Sequence, residues 1–147
     1  MIQFEGDRDF ALPPAALGEK LADARFLVRC IPDVESVARA DAAEAVCTVR
    51  PGFSFIRGTL ELTIRVAEVV PGQSVKLLVP SKGMGNSSTV EALLTLAPRD
   101  GGSRVHWRAE VKEMGGLLKL APQGLMRGAA QKVVADAWAA VEKQLAS

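Results

Sequence analysis

The chain has 147 residues, 48% of them hydrophobic, and a net charge of +1. That is the length of one domain, 1–147, with enough apolar material for a sizeable single core. The balanced charge excludes an electrostatic nucleic-acid binder, and no apolar run approaches the length of a membrane span.

Residues Ile2 to Arg8 read as a first strand, with Ile2 and Phe4 on one face. Pro13-Pro14 open a short helix that places Leu17 and Leu21 one turn apart on its buried side. A second short helical segment, Ala24 to Cys30, ends before Pro32. Val34 to Arg39 and Ala43 to Val49 read as a hairpin, and Pro51-Gly52 as a turn or bulge. Leu60, Leu62, Ile64 and Val66 then alternate with Glu61, Thr63 and Arg65. After Pro71-Gly72, Val75, Leu77 and Val79 give the next inward row, and Val90, Ala92, Leu94 and Leu96 another. Asp100-Gly101-Gly102 is a hairpin turn into the last strand, where Val105, Trp107, Ala109 and Val111 alternate with charged residues.

Beyond Gly115-Gly116 the pattern becomes helical to the end of the chain, with Pro122 separating or kinking the first turn. Met126, Ala130, Val133, Ala137 and Val141 form the apolar stripe, widened by Val134, Trp138 and Leu145. One-sided alternation in every strand predicts an antiparallel sheet with one wet and one covered face. The fold class is α+β: a curved seven-stranded antiparallel sheet wrapped around a long C-terminal helix, with two short helices after the first strand.

No catalytic set emerges. His106, the single histidine, alternates onto the wet face, and with no CxxC pair or second histidine a metal site lacks ligands. Asp23 reads as a helix cap rather than half of an acid/base pair with Glu35. Gly83 and Gly85 lack phosphate-loop spacing and read as a turn with a local bulge. Gly124 and Gly128 read as close helix packing or as room for a ligand. Cys30 and Cys47 read as two reduced, buried thiols. The acidic, strand-like N-terminus predicts no secretory leader. The expected location is therefore cytoplasmic, with at most peripheral contact to a membrane.

The chain resembles the carbon-monoxide dehydrogenase CoxG family, within the SRPBCC (START-like, helix-grip) superfamily. The similarity runs from Phe4-Glu5-Gly6 through Cys30-Ile31-Pro32, Gly58 with Leu60-Glu61-Leu62, and Ser81-Lys82-Gly83-Met84-Gly85. It is closest in the tail, from Gly115-Gly116-Leu117-Leu118 through Gly128-Ala129-Ala130-Gln131-Lys132. The resemblance implies the helix-grip fold and an apolar pocket between sheet and helix. It also implies association with molybdenum hydroxylases of the carbon-monoxide dehydrogenase type, coupling to the membrane, and handling of a quinone. The membrane-attaching C-terminal extension common in the family is not matched here. Gly18, Ala24 and Asp33 replace the tryptophan, proline and glycine usual at those places, and are expected near a pocket mouth.

Phe53, Phe55, Leu62, Leu77, Leu94, Trp107, Met114, Leu118 and Met126 are the candidate pocket residues. The alternative is that they fill a solid core, since interiors are close-packed. Methionines would give a cavity adaptable walls. A ten-carbon tail buried there gains up to about 8 kcal/mol, which is what micromolar binding needs before immobilisation costs. The expected function is non-enzymatic binding of a lipophilic molecule, a quinone or lipid, with no resident cofactor or metal. The alternatives are a START-like cyclase or dehydratase and a ligand-free structural adaptor.

Overall fold

Local chemistry sets the element boundaries. Pro13 is extended and Pro14 opens the first helix, where a missing N–H costs nothing. The Asp23 carboxylate accepts the Arg25 backbone N–H at 2.9 Å and so caps the second helix. The computed structural model describes residues 2–50, 58–120 and 122–145. In chain order these form β1 (Gln3–Phe10), α1 (Pro14–Leu21), α2 (Ala24–Val28), β2 (Val34–Ala40), β3 (Glu44–Val49), β4 (Leu60–Val70), β5 (Ser74–Gly83), β6 (Asn86–Arg99) and β7 (Gly102–Gly116). A 3-10 turn (Leu117–Leu120) and the long α3 (Gln123–Leu145) follow, split at Pro122 as the sequence predicts.

The strands make one seven-stranded sheet in the order β1-β7-β6-β5-β4-β3-β2. Every neighbouring pair is antiparallel. Two tight turns need left-handed backbone: Met84-Gly85 (φ 53° and 78°) between β5 and β6, and Asp100-Gly101 (φ 48° and 82°) between β6 and β7. Their twist matches that of the strands they join. The sheet curves around its covered face, and α1 and α2 close one end of it. Leu17, Leu21 and Ala24 are fully buried there, beside Val75, Leu96 and Val105. The helix-grip expectation holds.

The structure corrects several details. β1 runs on to Phe10 rather than ending at Arg8, because it stays paired with β7 to Ser103. α2 ends at Val28, and the turn through Cys30 is irregular. β2 lacks one-sided burial: it is exposed along almost its whole length and breaks register with β3 twice. As an edge strand it has a neighbour on one side alone. The Gly83–Asn86 connection is a plain two-residue turn without a bulge. Gly18 and Ala24 are buried in packing instead of lining a mouth; a Cβ on Gly18 would sit 3.4 Å from the Gly72 backbone. Gly124 and Gly128 are exposed, with nothing within 4 Å of a Cβ, so neither packs the helix on the sheet. The predicted Pro51-Gly52 turn lies outside the described residues.

Candidate functional site: an apolar cavity beneath the long helix

Strand registers sort the inward side chains into transverse rows. Leu62, Ser81, Ser88 and Met114 form one row near the β5–β6 turn. Val79, Val90 and Val111 form the next. Leu77, Ala92, Ala109 and Phe4 come third, and Val75, Leu94, Trp107 and Gly6 fourth. A register shift at Thr89/Val90 explains why Val111 and Met114, three positions apart, share the covered face. From Ser88 to Leu94 the strand spans about 20 Å.

Burial falls steadily along these rows. Val75, Leu77 and Leu94 are buried, whereas Leu62, Val79, Val90, Val111 and Met114 are half-buried although they point at the covered face. The helix explains the difference. Trp138 and Val141 are its buried residues. Trp138 packs on Phe10 and Trp107, with ring centroids 5.9 and 6.3 Å away. Arg8 of β1 ties the same end down through Glu142 at 2.7 Å. A Cβ on Gly6 would lie 2.9 Å from the Trp107 ring, so this glycine makes the indole's berth. Towards its N-terminus the helix stands off the sheet, leaving a cavity of about 390 Å³. That is within the usual size range of small-molecule sites.

The wall is almost wholly apolar. The sheet contributes the rows above, α3 contributes Met126, Ala129, Ala130, Val133, Val134, Ala137, Trp138 and Val141, and the turn after α2 contributes Cys30, Ile31, Pro32 and Asp33. Of the sequence-predicted pocket residues, Leu62, Leu77, Leu94, Trp107, Met114 and Met126 line this space. Phe53 and Phe55 lie outside the described residues. Leu118 lies in the 3-10 turn, and its side chain is outside the described set.

Polar groups in the wall are few. The Ser81 and Ser88 hydroxyls are hydrogen-bonded to each other at 2.7 Å. The Cys30 thiol donates to the Phe26 carbonyl, and burial pushes its pKa up to about 11, so it is neutral and a poor nucleophile at ordinary pH. Asp33 faces α3: Lys132 is held above the ordinary lysine range chiefly by its hydrogen bond to Asp136, and the Asp33 charge adds to this. Sequence reasoning missed the serines and the Cys30–Asp33 turn. Continuing the alternation of Val75, Leu77 and Val79 by one step reaches Ser81. No periodicity marks an irregular turn.

The other candidates sit elsewhere. His106 is on the outer face, 2.9 Å from Asp7, within a charge ladder that includes Asp9–Arg104 at 2.8 Å. The Arg104 hydrogen bond holds the Asp9 carboxyl below its ordinary range. Asp23 is held down by Arg25, and Glu35 pairs with Arg50 at 2.8 Å. Cys30 and Cys47 are buried and unbridged. No metal-holding cluster and no helix long and apolar enough to cross a membrane occur among the described residues.

Comparison with solved structures gives the same fold throughout. A conserved protein from Geobacillus kaustophilus superposes with a TM-score of 0.84 at 21% identity, covering 99% of this chain and 95% of that one. A Mycobacterium smegmatis protein gives 0.67 at 17% identity, covering 98% and 90%. The AHSA1 protein from Silicibacter pomeroyi gives 0.66 at 16%, covering 99% and 98%. None of the curated proteins matches. The sequence model of the carbon monoxide dehydrogenase protein CoxG matches residues 6–146. With that match spanning nearly the whole chain on a helix-grip fold, the chain belongs to the carbon monoxide dehydrogenase CoxG family.

Proposed function

We propose that this domain is a non-enzymatic carrier of a lipophilic molecule, a quinone or lipid, held between α3 and the sheet. It would serve a molybdenum hydroxylase of the carbon-monoxide dehydrogenase type, in the cytoplasm or at the inner membrane face. The observation that carries the reading is the cavity itself: about 390 Å³ with an almost entirely apolar wall. A close-packed interior would leave no such space. The family's name supports the hydroxylase link. A binding role rather than catalysis is supported by the chemistry of the wall, whose cysteine is a neutral thiol and whose serine pair has no histidine beside it, His106 being on the opposite face.

Trp107 and Trp138 both border the cavity, so they report on its contents. Titration with decyl-1,4-benzoquinone should quench their fluorescence, and native mass spectrometry of freshly purified protein should show a small-molecule adduct. Absence of both, with fatty alcohols and phospholipids equally inert, would remove the reading.

A further inference from the structure

We infer that the Ser81–Ser88 pair is the head-group site of this cavity, selecting an uncharged ligand that carries a hydrogen-bond-accepting oxygen on an apolar tail. This rests on the cavity being a lipophile site. The two serines face each other across β5 and β6 in the same row as Leu62 and Met114. They are half-buried and border the cavity, and Pro80 and Val79, Thr89 and Val90 precede or follow them with no further hydroxyl in the wall. Each serine hydroxyl has one proton and two lone pairs. Their mutual bond at 2.7 Å uses one of the two protons. The accepting hydroxyl therefore keeps an O–H with no partner among the described residues. A carbonyl, ester or alcohol oxygen would complete it.

Position gives the ligand a direction. The serines lie at the end where the wall is half-buried, and the Trp107–Trp138 pair closes the other end about 20 Å along the strand. An oxygen at the serines thus points the tail along the valine and leucine rows towards the indoles.

Charge excludes a carboxylate at the same place. Arg108 borders the cavity, but its guanidinium reaches the outer face, 3.7 Å from Glu5. Asp33 is the other charged residue in the wall and repels an anion. An ionised group moved there would lose its hydration without a counter-charge. Arg127, at the rim, stacks 5.5 Å over Phe4, whose row is about 13 Å from the serines. A carboxylate drawn to Arg127 would leave the serines unoccupied.

The test compares 2-tetradecanone, 1-tetradecene and tetradecanoate, with the bound fractions counted by native mass spectrometry on the native chain and on Ser81→Ala/Ser88→Ala. The native chain should prefer the ketone to the alkene by about tenfold, a typical hydrogen-bond contribution, and should bind the ketone more tightly than tetradecanoate. The double variant should lose the preference for ketone over alkene while still binding both. If the double variant melts before it can be assayed, Ser88→Ala alone carries the same expectation with a smaller loss. An unchanged preference in the variants, or tighter binding of tetradecanoate by the native chain, overturns the inference and leaves the cavity reading standing. Failure of ketone and alkene alike to bind the native chain removes both.

Discussion

The two halves of α3 carry similar apolar stripes and meet the sheet differently. In the C-terminal half, Trp138 and Val141 are buried, and the indole packs between Phe10 and Trp107. In the N-terminal half, Met126, Ala129 and Ala130 are half-buried, while Leu125 and Val133 are exposed. The spacing of apolar residues is helical in both, so periodicity does not separate them. Side-chain reach does. A tryptophan spans the gap between helix and sheet, whereas alanines at the facing positions leave it empty. One half is therefore a clamp and the other a roof, and a single helix combines stability with capacity.

The largest test of this division is Trp138→Ala. Removing a buried aromatic should cost about 3–5 kcal/mol, read as a loss of unfolding free energy in denaturant. A loss below about 1 kcal/mol would show that the clamp lies elsewhere. Next comes Met126→Trp in the roof. It should fill the space and weaken decyl-benzoquinone uptake about tenfold or more, equivalent to about 1.4 kcal/mol of binding. Its unfolding free energy should move by less than about 1 kcal/mol, because no packed contact is lost. Equal effects on uptake and stability would abolish the distinction between the halves. The smallest effect is expected from Gly6→Ala. The new methyl meets the Trp107 ring, so a destabilisation of about 1 kcal/mol should accompany a shift in indole emission. Unchanged emission would mean that the berth is looser than its geometry indicates.

The fold was legible wherever a strand buries one face. Val75, Leu77 and Leu94 alternate cleanly and are buried, and the Asp100-Gly101 turn is signalled by residues that tolerate left-handed backbone. β2 was misread because an edge strand need not bury either face. The wall of the cavity was legible in part, through Leu62, Trp107, Met114 and Met126. Its emptiness was not, since the same residues at the same spacing could fill a solid interior. Gly124 and Gly128 suggested space beside the helix, yet the alanines at 129 and 130 line it. Which side of a helix a small residue occupies depends on how the helix is rolled. Gly18 looked like a helix weakness until the neighbouring Gly72 backbone explained its small size. Such long-range contacts leave no periodic trace.

The place of β1 bears on how the cavity comes into being. Its residues Phe4 and Gly6 pair with Ala109 and Trp107 of β7, most of the domain away in sequence. Pairings so distant are slow to close, because the intervening chain must first be ordered. During synthesis β1 has to wait for β7 to emerge, and α3 covers the sheet later still. The greasy chamber is thus a late product of folding, and a nascent chain has nowhere to hold a guest until that helix is released.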